Sequence, residues 1–464
     1  MIECIEWSRF AHFNGFPSPF MRGKGERPLR ITLHSDSLAQ LSGQERAAVA
    51  VLRELGHLPE IGVLETEPGG FPHIEVDAPD LQADIIPVRS VSDGVAHTFT
   101  SILFPRQWPV IASHLVDQPD PDHQDARAML RLLMIAQAHC SLGGDILVTS
   151  APLLLKHRNK KWLREANSRT PLEAAQIVGL LLRSRGIYTY RAGPKYQENF
   201  DRGMFYLVLA RHRLPSMWRY LSAYGAASKI RGDDIQELGE SILVRAVRTL
   251  EARDDIGVVF YTPQNNNIRD QMMYHFDYLT LVLAGALDAQ ARVAHRAYHV
   301  SKPDERSATF RWDKFRKALG GSGARELCNL FDDEGFENLL TLLYELRNTI
   351  HGAALKAIAY QGVREAERTF ASIPQPVGQE LLEAAEQLGG AEYWGLTQGF
   401  QAIWLEPYSY ATALVRNCLD IIDAVAAATD VTRLFPVGHP IPPLMEDAPK
   451  DSVFRWAERI SLLG

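Results

Sequence analysis

The sequence predicts an α+β protein of several domains: an N-terminal α/β unit, a helical middle region and a C-terminal all-α bundle. Three observations predict it. Over the first 170 residues, short β-branched runs alternate with apolar-periodic helices. From Thr170 onward helical patterning takes over. Between about 268 and 430 the chain is filled by long segments with continuous apolar stripes. At 464 residues with 46% apolar content, it has material for roughly two to four cores.

The elements follow in order. Arg30-Ile31-Thr32-Leu33-His34 reads as a strand, and Ala47, Val51 and Leu55 recur every fourth residue to predict a helix over 44–55. Ile61-Gly62-Val63-Leu64 completes a β-α-β order. A poorly patterned stretch reaches Pro121, Asp125 opens an apolar helix to His139, and Gly144-Asp145 leads into a strand over 146–149. Helices are predicted at 171–185, with Pro at the first helical position, and at 200–211 and 234–252. Gly257-Val258-Val259-Phe260-Tyr261 reads as a strand, and the polar turn that follows it sets a boundary near 265. The C-terminal bundle is expected from helices at 268–299, 312–318, 324–330, 336–356, 380–388 and 407–428. The domains are therefore 1–170, a connecting region 171–265, a bundle 266–435 and a tail 436–464.

A formal charge of −7 argues against a broad electrostatic grip on nucleic acid, so any such contact is local. The acidic start Met1-Ile2-Glu3-Cys4-Ile5-Glu6-Trp7 lacks the basic and apolar regions of a signal peptide. No window reaches the roughly 18 apolar residues of a spanning helix, so a cytoplasmic protein without membrane contact is expected. Cys4, Cys140, Cys328 and Cys418 form no Cys-x-x-Cys pair, which leaves neither a zinc knuckle nor a disulfide framework.

The segment with the most chemistry is Leu346-Arg347-Asn348-Thr349-Ile350-His351-Gly352. Four residues apart on a helix, Arg347 and His351 share one face. A guanidinium stabilises a phosphorane-like transition state and a neutral imidazole accepts the proton of a ribose 2′-hydroxyl, chemistry that needs no metal. Asn348 adds an amide able to orient either group or a phosphate. The bland alternative is an Arg and a His that bridge neighbouring helices through a buried polar network. With 15 His in the chain, such pairs also arise by chance.

This segment, on a long helix preceded by one of the Phe276-Asp277-Tyr278-Leu279 and Ala286-Leu287-Asp288-Ala289 type, resembles HEPN domains of prokaryotic toxins and defence proteins. The resemblance implies a helical bundle with a ribonuclease site at Arg347, Asn348 and His351, completed across a homodimer, and no cofactor. The family's interval from Arg to His is longer; here only three residues intervene.

At the N-terminus, Gly144-Asp145-Ile146-Leu147-Val148-Thr149 and the helix start at Asp125-Ala126-Arg127-Ala128-Met129 resemble PIN-like nucleases. That resemblance implies clustered carboxylates for two divalent cations, with Glu65, Asp125 and Asp145 as the candidate ligands. His34 stands where the first-strand acid is expected and Ala151 where the last is, so the PIN-like unit is degenerate. Asp125 and Asp145 are expected near the C-terminal edge of the sheet, where sites in open α/β sheets gather.

Lys156-His157-Arg158-Asn159-Lys160-Lys161-Trp162 is the strongest basic run. Lys156, Arg158, Lys160, Lys161 and Trp162 are its candidate RNA contacts, against the plainer reading of a solvated loop. His295 and His299 have metal-compatible spacing without a third ligand, and Gly320-Gly321-Ser322-Gly323 lacks the Lys and upstream strand of a phosphate loop. The function expected is a metal-independent endoribonuclease of the HEPN type. The alternative is a non-catalytic module that binds RNA or a protein through inactive HEPN-like and PIN-like domains.

Overall fold

Leu29, Ile31, Thr32 and Leu33 are all buried in strand β1 (Leu29–Leu33), the near-continuous burial of a strand covered on both faces. The computed structural model describes residues 18–23, 25–67, 73–75, 82–103, 123–156, 158, 163, 166–360, 368–399, 401–444 and 453–464. Two units result, Met1–Phe200 with Leu462–Gly464, and Asp201–Ser461.

In the first unit β1 leads through α1 (Ser35–Leu38) and α2 (Gly43–Leu55) to β2 (Ile61–Thr66), which pairs parallel to it with Leu29 opposite Ile61. β3 (His73–Glu75), β4 (Gln82–Ser90) and β5 (Ala96–Leu103) form an antiparallel extension beyond β2. After α3 (His123–Ser141), β6 (Ile146–Val148) pairs parallel to the other side of β1, and β7 (Ser168–Arg169) pairs parallel to β6. The order is β3-β4-β2-β1-β6-β7, with β5 on β4. Side chains alternate across this sheet. Leu64 and Leu147 pack with Met134, Ile135 and Ala138 of α3, while Val63 on the opposite face meets Gly56 at the end of α2. Helix α5 (Pro171–Ser184) packs on α2, giving three layers. Thr170 and Glu173 form a reciprocal capping box at its start.

The second unit holds α6 (Arg202–Arg213), α7 (Pro215–Arg231), α8 (Ile235–Phe260), α9 (Asn266–Ala297), α10 (Asp313–Gly321), α11 (Arg325–Phe331) and α12 (Glu334–Gly352). A four-stranded antiparallel sheet, α13 (Val377–Gln387), α14 (Pro407–Ala428) and α15 (Val453–Leu462) follow. Helix α9 starts under an Asn265 cap whose Oδ1 accepts from the Ile268 amide at 3.0 Å. It packs against α8, α12 and α14.

Five expectations are corrected. The 171–185 helix is α5 of the first unit, not part of a connector. The boundary near 265 falls in the turn of the closely packed α8/α9 hairpin, and the second unit begins at Asp201. Gly257–Phe260 is the last turn of α8, because Ile256, Val259 and Phe260 are buried at helical spacing and burial outweighs β propensity. The C-terminal unit is not all-α: α12 stops at Gly352, Ala353 turns extended, and β8 (Lys356–Tyr360) joins β9 (Arg368–Pro374), β11 (Ala402–Leu405) and β10 (Leu396–Gln398). The tail ends in helix α15, and the Leu463 carbonyl accepts from the buried Arg183 guanidinium.

The first unit is held at the N-terminal edge of its parallel strands by Asp145. Arg22 donates to its oxygens at 3.1 and 2.5 Å, Arg27 at 2.9 and 2.8 Å, and the Arg30 amide at 2.9 Å. Burial alone would raise this carboxyl, but the Arg22, Arg30 and Arg27 hydrogen bonds outweigh it and hold it below the ordinary 3.8. Asp145→Asn leaves two guanidiniums around an uncharged amide and is expected to cost the N-terminal unit about 3–5 kcal/mol in denaturant unfolding. The wild-type contribution is complete above pH 3.8 and is lost as pH falls below it through the lowered folded-state value; a variant equal to wild type at pH 7 would contradict this.

Candidate functional site

Helix α12 lies antiparallel to α9, and a chain of contacts fixes the direction. The His295 ring near the end of α9 stacks on Phe315, Phe315 packs on Phe310, and Phe310 meets Phe336 at the start of α12. Further along, the Tyr344 hydroxyl donates to Asp288 Oδ1 at 2.8 Å. Arg347 and His351 follow Tyr344 at i+3 and i+7, the helical spacing of one face. The end of α12 that carries them therefore lies toward the N-terminal half of α9.

His351 and Asn348 are exposed and Arg347 is half-buried. The Arg347 guanidinium donates to Asn348 Oδ1 at 3.2 Å. Among the described residues it has no carboxylate partner, and no hydrogen bond holds the His351 ring. Its neighbour on the helix, Glu345, is instead paired with Arg311. The three residues are thus together at the surface, not sealed in a polar core. Beyond Gly352 an added Cβ would meet open space, so the backbone beside His351 is accessible.

One further group lies on the α9 face that carries Asp288. Asp277, three turns before it, is half-buried with one buried oxygen lacking a hydrogen-bond partner, and burial pushes its carboxyl up to about 6. Its signal in the sequence is a single carboxylate within the apolar run Phe276-Asp277-Tyr278-Leu279.

The candidate metal ligands of the first unit do not converge. Glu65 ends β2 opposite Leu33, whereas Asp145 precedes β6 at the level of Arg30, the other edge of the sheet. The expectation that Asp145 sits at the C-terminal edge is corrected: β6 runs parallel to β1, so the residue before it lies at the N-terminal edge. Two guanidiniums on its oxygens also repel a cation there. Glu65 accepts from Ser35 at 3.0 Å and pairs with Arg53, and it lines a cavity of about 440 Å³ with Thr66, Glu67, Arg89 and Ser90. Asp125 is in the first turn of α3, and its side chain lies outside the described residues. No cluster of three His, Cys, Asp or Glu suited to a metal occurs among the described residues.

At the switch point between β1 and β6 the residues are hydroxyls and an imidazole. His34 Nδ1 is 3.0 Å from Thr149 Oγ1, and the Ser37 hydroxyl is 3.1 Å from the same atom. Burial lowers His34 to about 4, so it is neutral at neutral pH. Nothing in the spacing of the sequence marks this cluster or the Arg22 and Arg27 clamp, because each joins residues more than 100 positions apart.

Of the basic run, Lys156 is exposed at the end of α4 (Pro152–Lys156), while Arg158 pairs with Glu173 at 2.9 Å and so supports the start of α5. Lys160, Lys161 and Trp162 lie outside the described residues. His295 hydrogen-bonds the Pro303 carbonyl at 2.9 Å, and His299 lies past the end of α9 with a φ of 50°, so the two imidazoles share no helical face.

Comparison with protein-family models, with curated proteins and with solved structures gave no significant match.

The raised Asp277 carboxyl binds its proton more tightly in the folded state, so its stabilising effect is present at low pH and lost as pH rises through about 6. Asp277→Asn is expected to raise the thermal midpoint of the C-terminal unit at pH 7.5 and to leave it unchanged at about pH 4. A lowered midpoint at pH 7.5 would show that the ionised carboxylate has a stabilising partner.

Proposed function

We propose that this protein is a metal-independent endoribonuclease acting through Arg347, Asn348 and His351. The observation that carries the reading is an arginine without a carboxylate partner among the described residues, four residues from an exposed histidine on the same helix face. An unneutralised guanidinium at the surface is a phosphate site, and the imidazole one turn on is within reach of the adjoining ribose. His351 takes the 2′-hydroxyl proton, the 2′-oxygen bonds to phosphorus, and the bond to the 5′-oxygen breaks, leaving a 2′,3′-cyclic phosphate. Arg347 stabilises the charge that gathers on the phosphorane oxygens.

The leaving 5′-oxygen needs a proton, and one copy supplies a single imidazole. A homodimer through the C-terminal bundle places a second His351 beside the first, because a two-fold interface apposes the same surface on both chains. A second reading has its own support: no hydrogen bond orients the His351 ring among the described residues, and a base ordinarily needs such a partner. On that reading the same face binds RNA without cutting it, or binds a protein.

With purified protein and RNA in EDTA, His351→Ala and Arg347→Ala are each expected to reduce cleavage by roughly 100-fold or more, and sedimentation should report a dimer. RNA bound but uncut by the wild type would establish the second reading, and an active monomer would remove the need for a second His351.

A further inference from the structure

Helix α9 is covered by α8, α12 and α14, yet one stripe stays open: Tyr274, Tyr278 and Leu281 are 69%, 36% and 37% exposed. Their spacing of four and three residues puts them on one face. Gly285 continues the stripe, and the guanidinium of Arg245 from α8 occupies the space where its side chain would stand. Arg248, one turn further along α8, is exposed. On the other side α12 packs on α9 through Tyr344 and Asp288, and Arg347 and His351 follow Tyr344 on that helix face. The stripe thus has aromatic rings on its floor and guanidiniums on both rims.

None of Arg245, Arg248 and Arg347 has a carboxylate partner among the described residues; Arg245 donates only to Ser241 Oγ, at 3.3 Å. Of the carboxylates on this part of α9, Asp288 is occupied by the Tyr344 hydroxyl, Asp277 is half-buried on the α12 side, and Asp270 is exposed one turn before Tyr274. The Tyr274 ring meets that of His275 edge to face at 5.4 Å and 76°, and His275 in turn lies 3.7 Å from Asp255. Exposed flat rings flanked by guanidiniums that lack carboxylate partners among the described residues complement a strand that offers bases and phosphates together.

We propose that this face binds single-stranded RNA, its bases stacked on Tyr274 and Tyr278 and its phosphates held by Arg245, Arg248 and Arg347. The assignment of the strand as RNA rests on the ribonuclease reading above. It adds a selection rule: paired RNA is excluded, since an A-form duplex keeps its base faces stacked inside.

The test is fluorescence anisotropy in EDTA with a labelled single strand of about 12 nucleotides, a length that spans a typical single-strand site, and with its blunt duplex. His351→Ala protein is used so that the probe survives. The single strand should bind at least about tenfold more tightly than the duplex. Tyr274→Ala and Tyr278→Ala should each weaken it by about fivefold to a hundredfold, with Phe at either position retaining affinity. Unchanged affinity in the Ala variants, or duplex binding as tight as single-strand binding, overturns the platform. If that happens while Arg347→Ala still abolishes cleavage, the ribonuclease reading stands without it. Absence of any RNA binding removes both. Ala variants that turn a dimer into a monomer in sedimentation would identify the stripe as a self-association face and overturn the proposal.

Discussion

The C-terminal unit is organised by the burial of one helix, Asn266–Ala297, half of whose 32 residues are buried. Three helices pack on it, and the polar contacts on its surface set their registers. Tyr344 reaches Asp288, and the Tyr410 hydroxyl of α14 donates to the Leu342 carbonyl at 2.8 Å while its ring packs on Phe276. These bonds hold α12 along its middle, and its last turn continues the helix from there. Arg347 and His351 are therefore positioned by packing that lies one to three turns away from them. The open stripe of Tyr274, Tyr278 and Leu281 is a part of α9 that no helix among the described residues covers.

The N-terminal unit uses a different constraint. Its parallel strands are tied at one edge by a carboxylate enclosed by two guanidiniums, and the opposite edge holds hydroxyls around a neutral His34. A cation-binding edge would need the reverse, carboxylates gathered at the strand ends and free of basic partners. Of the acids that this unit presents there, Glu65 and Glu67 face Arg53 and Arg89, and Asp36 is exposed beside His34. Charge is compensated locally in the first unit and left uncompensated around Arg347 in the second, which is why the functional reading rests on the latter.

Much of this was legible in the sequence. Period-four apolar residues located α2, α5, α9 and α14 closely, and the β-α-β order of the first unit followed from strand runs read at 30–34 and 61–64, which fold at Leu29–Leu33 and Ile61–Thr66. The i, i+4 spacing placed Arg347 and His351 on one face without a structure. What escaped were features set by distant partners. Lys356–Tyr360 is a strand only because Arg368–Pro374 pairs with it, and β4 hides behind Pro87, which cannot donate to a ladder, although Ile86 and Val88 alternate with Pro87 and Arg89. Asp145 reads as a metal ligand by its neighbours in sequence, and only Arg22 and Arg27, over 100 positions away, show that it is an anchor. The Tyr274 and Tyr278 stripe was hidden for the opposite reason: aromatic residues at helical spacing look like core until the covering helices are known.

The central claim is that His351 and Arg347 drive attack by the ribose 2′-hydroxyl itself, and the chemistry of the cut end decides it. Mass spectrometry of the fragments released from a defined RNA in EDTA should find 2′,3′-cyclic phosphate on the upstream piece and a 5′-hydroxyl on the downstream piece. Fragments ending in a 3′-hydroxyl and beginning with a 5′-phosphate would mean that water, not the 2′-oxygen, is the nucleophile, and would contradict the account.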